Sequence, residues 1–290
     1  MKIVPKYNLD TIGKINNLLH EPEILKGIKK NNFVPEIISS FQDYDNIYLV
    51  TTFYDGPSLT EIVNKKLSEK QIQFISACIV LALKNLRENQ IIHRDLTFQN
   101  IMLDKDNYFN FIDFSFSVNY TNRNSRNFTC FTCPSYTPPE IIKKSNYDYN
   151  SDYYRFGIII FYLIFKRFPI HITKFQNLKE YISHNYPTKN YSENLLNFTV
   201  ELIETDMKKR IGYKNIDEIM NHSFFYSLDW EKMKSKKIIS PFTFNRPIFR
   251  DHECKKFNKT KSGVDIYAKL IKTKYYEKSW KDFEFSKNKE

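Results

Sequence analysis

The stretch Ile91-Ile92-His93-Arg94-Asp95-Leu96-Thr97-Phe98-Gln99-Asn100, followed by Phe111-Ile112-Asp113-Phe114-Ser115, constrains this chain more than any other feature. An Asp stands in a turn, an Asn follows five residues on, and a second Asp comes thirteen residues after the Asn. Apolar residues flank each group, so strands or a helix can hold all three side chains still. Asn100 and Asp113 offer hard oxygen ligands of the kind Mg²⁺ prefers. Asp95 is placed to accept the proton of an attacking hydroxyl. A single Asp in a loop is usually a turn residue, but three oxygen donors in this order call for a fold that gathers them at one cleft.

With 290 residues the chain can bury a large core, as one two-lobed domain or two small ones. Hydrophobic residues at 41% and aromatics at 16% exclude global disorder. Four cysteines (Cys78, Cys130, Cys133, Cys254) show no disulfide framework, and nothing resembles a signal peptide. The expected compartment is therefore the reducing cytoplasm, with nuclear access open. Cys130-x-x-Cys133 without a second pair or a spaced His reads as two loop thiols, not a zinc site. The longest apolar run, Phe156 to Phe165, is ten residues, too short to span a bilayer and suited to a buried helix. The net charge of +11 is uneven, with 17 Lys and Arg against 7 Asp and Glu between Lys232 and Glu290. Phe, Tyr and Trp interrupt those lysines, which reads as a solvated extension anchored over the domain. A binder of nucleic acid or acidic surfaces working through this tail ranks last among the functional readings.

Along the chain, Met1 to Pro5 begins as a short strand. Leu9 to Ile28 has apolar residues at helical spacing. Ile37 to Phe41 and Ile47 to Phe53 read as a strand pair joined by the polar turn Gln42 to Asn46. Asp55-Gly56-Pro57-Ser58 breaks the chain. Ser68 to Glu88 is a strong helix, with Ser68 as cap and Ile72, Ile75, Ile79 and Leu83 along one face. Beyond Arg155 the pattern is mainly helical to about Ser227.

From these residues outward the sequence resembles a protein kinase, whose signature is His-Arg-Asp with a later Asn and then Asp-Phe-Gly. The resemblance covers almost the whole chain and looks most like the cyclic-nucleotide-dependent branch of the AGC group. It implies an α+β, two-lobed fold: a partial small lobe with a truncated sheet over residues 1–57, a mainly helical large lobe over 58–228, and an AGC-type tail over 229–290. It implies ATP and Mg²⁺ as cofactors and serine or threonine hydroxyls of a protein substrate as acceptors. A regulatory subunit or an upstream kinase would be the controlling partner.

Residue by residue, the resemblance makes Asp95 the group that orients and deprotonates the hydroxyl, and Asn100 and Asp113 the metal ligands. Met1-Lys2-Ile3 is similar to the family's Ala-Met-Lys, which puts Lys2 on the α- and β-phosphates. Glu21, nineteen residues on, would tether Lys2. Thr52 to Tyr54 would be the hinge that holds adenine through backbone, with Thr51 guarding the back pocket. Met102 and Val264 would sandwich the base. Thr129 falls on the activating phosphosite, where Arg94 could pair an added phosphate. Glu140 with Arg210, and Asp152 with Gly157, match scaffold positions, and His93 is an orienting core residue. In the tail, Ile239-Ser240-Pro241-Phe242, Val264-Asp265-Ile266-Tyr267 and Trp280-Lys281-Asp282-Phe283 resemble successive AGC-tail segments, the last one docking on the small lobe.

The departures are specific. The Gly-rich loop lies before Lys2 in kinases, so two explanations compete: an incomplete copy of a longer protein, which is preferred, or a lost loop; without the loop the Lys2 strand is expected to be a frayed end. Thr97 stands where serine/threonine kinases carry a lysine on the transferring phosphate. Ser115 replaces the glycine of Asp-Phe-Gly and is expected to restrict that loop's backbone. Pro22 follows Glu21 and is expected to displace it, with Glu23 as a substitute. Ser58, Gln99 and Tyr162 occupy positions where basophilic relatives read arginines with acidic groups, and Cys133 replaces the substrate-facing threonine. An Arg-Arg-x-Ser peptide should therefore not be preferred. The alternative to an active enzyme is a pseudokinase, a binding or scaffold module that kept the fold.

Overall fold

A computed structural model describes residues 1–6, 12–121, 134–143, 148–169, 178–186, 190–244 and 285–286. The amino-terminal part is a sheet with one helix against it. Strands β1 (Lys2–Pro5), β2 (Ile37–Gln42) and β3 (Asn46–Thr51) are antiparallel, and a short strand β8 (Phe285–Ser286) joins them in the order β1-β3-β2-β8. The β2–β3 turn forms because the Asp43 carboxylate accepts the N–H groups of Asp45 and Asn46 at 2.9 and 2.6 Å. Alternation puts Ile47 and Leu49 on the buried face with Ile37. Helix α1 (Ile12–Gly27) buries Leu18, Ile24 and Leu25. The Lys2 strand does not fray: all four of its residues pair with β3, Lys2 opposite Leu49.

The rest of the chain is mainly helical. Helix α2 (Glu69–Glu88) starts where the sequence signals it. Ser68 Oγ accepts the Gln71 N–H, and the Gln71 side chain accepts the Ser68 N–H, a reciprocal cap. Its face of Ile72, Ile75, Ile79 and Leu83 is buried. Strands β4 (Ile91–Ile92) and β7 (Val118–Asn119) pair with each other, as do β5 (Ile101–Leu103) and β6 (Phe109–Phe111). They hold the motif loops between them. Helices α3 (Pro139–Ile142), α4 (Tyr149–Phe165), α5 (Leu178–Asn185), α6 (Glu193–Leu202), α7 (Asp217–Met220) and α8 (Trp230–Lys234) follow. Helix α4 is apolar on nearly every side, which suits a central position. Gly157 lets α6 approach it closely, since a Cβ there would lie 2.6 Å from Ile203 and 2.7 Å from the Leu202 side chain.

After α8 the chain folds back along the β5–β6 hairpin. Lys236, in the left-handed region at φ 54°, forms an ion pair with the buried Asp104 and lies over the rings of Phe33 and Tyr108. Ser240 Oγ donates to the Asn107 carbonyl at 2.8 Å. Phe242 is buried against Phe74 and Phe109. Strand β8 then pairs with Ser39 and Ser40 of β2, so the carboxy-terminal end returns to the first sheet. The residues from Val264 to Tyr267 and from Trp280 to Phe283 lie outside the described residues.

Candidate active site

A cleft of about 340 Å³ opens between the sheet and the helical body, lined by Lys2, Glu21, Thr51, Tyr54, Met102 and Asp113 among others. The sequence scatters these residues over more than a hundred positions, and packing brings them together. Lys2 Nζ donates to Glu21 Oε2 at 2.8 Å and to Asp113 Oδ1 at 3.0 Å. Glu21 Oε1 accepts the Phe114 N–H at 3.1 Å. Burial works against the Lys2 ammonium, but Glu21 and Asp113 outweigh it and hold its pKa above the ordinary lysine value. Burial raises the Glu21 pKa and Lys2 only partly offsets that. For Asp113 the balance reverses: burial would raise its pKa, but Lys2 and Ser115 together bring it below the usual carboxylate value.

The expected displacement of Glu21 does not occur. Pro22 sits inside α1 and the helix continues through it. Proline removes one helical hydrogen bond, a cost of about 3 kcal/mol. The buried bonds of Glu21 to Lys2 and to the Phe114 N–H work against that cost. Glu23 points to solvent and, among the described residues, pairs with His20 at 3.2 Å.

The second group sits on the loop after β4. Asn100 Nδ2 donates to Asp95 Oδ2 and to the Asp95 carbonyl, both at 2.8 Å. That fixes the amide and leaves its oxygen outside the pair. Burial raises the Asp95 pKa, against Arg155 and Asn100. Arg94 holds the left-handed conformation at φ 65°. Asp152 of α4 fixes it there, accepting the His93 N–H at 2.7 Å and the Arg94 N–H at 2.9 Å. His93 is wholly buried, edge-on to Phe111, and burial lowers its pKa to about 4. It is therefore neutral at physiological pH, and its Nδ1 accepts the Asp95 N–H at 3.3 Å. Arg94 Nε donates to the Phe116 carbonyl at 2.6 Å. Thr129, its expected phosphate partner, and Val264 lie outside the described residues.

The loop does not need a left-handed residue at Ser115. The left-handed residue is Asp113, at φ 60°, and Ser115 is not in that region. Asp tolerates this conformation better than most side chains. The Ser115 N–H donates to Asp113 Oδ1 at 3.3 Å, and its side chain also hydrogen-bonds that carboxylate. At the hinge, the Thr52 N–H already donates to the Glu36 carbonyl at 2.9 Å, and the Thr52 carbonyl accepts only a long contact from Thr51 Oγ1 at 3.5 Å among the described contacts. Met102 lines the floor of the cleft.

Glu140 and Arg210 form a two-pronged buried pair at 2.8 and 2.9 Å. Two side chains that the motifs do not reveal also matter here. Arg155 is fully buried beside Asp152, and Lys236 ties the tail to the hairpin that carries Met102. The signal for Arg155 was present in the sequence, as a lone charge entering a ten-residue apolar run.

Among the described residues no three His, Cys, Asp or Glu side chains cluster as a metal cage. Mg²⁺ carried on a nucleotide takes one or two protein carboxylates and shares phosphate oxygens. The oxygens of Asp113 and Asn100, beside the Lys2 ammonium, fit such a group.

The cleft, its lysine–glutamate pair and the adjoining Asp–Asn loop make one candidate site. The model of the protein kinase domain matches residues 1–225, and the chain belongs to that family. It is similar to the serine/threonine-protein kinase sgk-1 of Caenorhabditis elegans, 29% identical over 83% of this chain and 53% of that protein. It is also 29% identical to the cAMP-dependent protein kinase catalytic subunit of Schizosaccharomyces pombe, over 83% of this chain and 48% of that protein. Human RAC-beta serine/threonine-protein kinase is 25% identical over 83% and 51%. These are AGC-type kinases, as the sequence resemblance implied. The chain spans about half the length of these relatives. Among the described residues no helix is long and apolar enough to cross a membrane.

Proposed function

We propose that this chain transfers the γ-phosphoryl group of ATP to serine or threonine hydroxyls of proteins, with Mg²⁺ as the metal. The observation that carries this reading is the double engagement of Lys2 with Glu21 and Asp113 on one wall of the cleft. Bound ATP supplies the phosphoryl group, and its Mg²⁺ neutralises the developing charge. Lys2, steadied by Glu21, grips the phosphates. Asp113 and Asn100 present their oxygens to the metal. Asp95, steadied by the Asn100 amide, orients the acceptor hydroxyl and takes its proton on a carboxylate oxygen. The Thr52 carbonyl and the Tyr54 backbone hold adenine at the hinge, with Met102 beneath it. Arg94, Thr129 and Val264 keep the roles expected of them, regulatory for the first two and base-covering for the third. The segments 1–57, 58–228 and 229–290 serve as small lobe, large lobe and tail of a cytoplasmic enzyme, controlled by a regulatory subunit or an upstream kinase.

The test is phosphate transfer from labelled ATP with Mg²⁺, to the chain itself and to a general protein substrate, comparing wild type with Asp95→Asn. Incorporation that disappears in the variant supports the enzyme. Equal background in both, with ATP still bound, supports the scaffold reading, which the uncharged Thr97 favours.

A further inference from the structure

Four aromatic side chains collect beside the loop that carries Asp95. Phe98 lies on that loop, between Asp95 and Asn100, in the single turn Phe98–Asn100. Its ring meets Tyr136 edge-on at 5.6 Å and Tyr162 edge-on at 5.0 Å, centroid to centroid. Phe168 closes the group, 5.3 Å from Tyr136, 4.9 Å from Tyr162 and 6.4 Å from Phe98. These are the spacings of packed aromatic pairs. Tyr136 comes from the turn Pro134–Tyr136 before α3, Tyr162 from the last turn of α4, and Phe168 from the segment just after it. Phe98 and Tyr136 are buried and form the base. Tyr162 and Phe168 are only half-buried, so the group keeps aromatic surface open to solvent.

We propose that this aromatic group is a substrate subsite: an acceptor protein lays a large apolar side chain, aromatic or aliphatic, on Tyr162 and Phe168 when its hydroxyl reaches Asp95. The proposal rests on the kinase reading and names the substrate class for it. Continuity with the acceptor site selects this occupant. Phe98 follows Asp95 by three residues, so their Cα atoms are at most about 10 Å apart. An extended substrate covers that distance in about three residues. The apolar residue therefore falls within about three positions of the acceptor. The polar groups around the cluster do not ask for a cation. The Tyr162 hydroxyl donates to Asn64 Oδ1 at 3.5 Å, and Gln99 is an uncharged amide. The turn Leu59–Glu61 packs against the Phe98 turn, but its Glu61 carboxylate is turned back onto the Ser58 N–H at 3.1 Å. Burying a large apolar side chain gains more here than an exposed cation–π contact would.

The test is a peptide scan on the full chain. An alanine-rich peptide with one serine receives a single Leu, Phe or Arg at each of the three positions on either side of that serine. With labelled ATP and Mg²⁺, Leu or Phe at one position is expected to raise kcat/KM about tenfold over Ala and over Arg. In Phe168→Ala and Tyr162→Ala the ratio of the apolar to the Ala peptide should fall to within about twofold, and Tyr162→Glu should shift preference toward Arg. Equal use of Leu, Phe and Ala at every position, or an arginine preference in wild type, overturns the proposal without recourse to any variant. So does an apolar preference that survives in folded Phe168→Ala and Tyr162→Ala. The same peptides, fluorescently labelled, are titrated with ligand-free wild type and followed by polarisation, where the apolar peptide should bind about tenfold more tightly than the Ala peptide. A wild type that transfers no phosphate sinks the kinase reading, while equal binding of the apolar and Ala peptides sinks the subsite.

Discussion

Lys2→Met isolates the charge balance of the cleft. Removing the ammonium leaves Glu21 and Asp113 facing each other, both of which it had bonded. At about 3 Å and an effective dielectric near 20, each attraction is about 5 kcal/mol before desolvation. The Lys2 side chain is 39% exposed, so solvent screening and the recovered hydration of the lysine cancel much of that. The net loss of stability should be about 1–3 kcal/mol at pH 7. Its pH dependence follows from the two carboxylates. Asp113 has a lowered pKa in the folded chain, so it contributes stability above its unfolded value that is lost as pH falls. Lys2→Met removes that contribution. Glu21 has a raised pKa, so its ionised form opposes folding increasingly as pH rises, and loss of Lys2 deepens the effect. Both changes make the variant's deficit larger at pH 8 than at pH 5. Urea unfolding of ligand-free protein at the two pH values measures it. A deficit independent of pH, or one that Glu21→Gln does not reduce, would refute the reasoning.

Arg210→Met leaves the Glu140 carboxylate with Ser151 Oγ at 3.0 Å and its own backbone N–H, and should cost about 3–5 kcal/mol by chemical denaturation. The double change with Glu140→Met should cost less than the sum of the single ones. Because Glu140 has a lowered pKa, the wild type should lose the contribution of this pair as pH falls below the ordinary carboxylate range. Lys236→Met should cost about 2–4 kcal/mol, because the buried Asp104 loses the Lys236 ammonium, and proteolysis should then cut more readily between α8 and Phe242. Gly157→Ala should cost about 1–3 kcal/mol in melting experiments, since its methyl would overlap Ile203 and Leu202.

Helix α2 was legible from period and cap alone, because a capping box and an apolar stripe are local codes. The loop around Asp95 and Asn100 was legible for the same reason: five residues of spacing close one hydrogen-bonded turn. The Lys2–Glu21 pairing was read from its resemblance to a known spacing, and that spacing alone could not overrule Pro22. Geometry decided the point, because Glu21 is held from two sides by groups distant in the chain. At Ser115, residue type says only what conformations are open. It does not say that the left-handed one falls two residues earlier.

The sequence by itself determined the local groupings, the capped helix α2 and the Asp95–Asn100 turn, through short spacings that a helix or a turn converts directly into proximity. Only the tertiary structure decided the long-range partners, Lys2 with Asp113 and Lys236 with Asp104, and the full burial of Arg155. Charges so far apart in the chain select one another only after hydrophobic burial has fixed the elements that bear them. No local pattern encodes that choice.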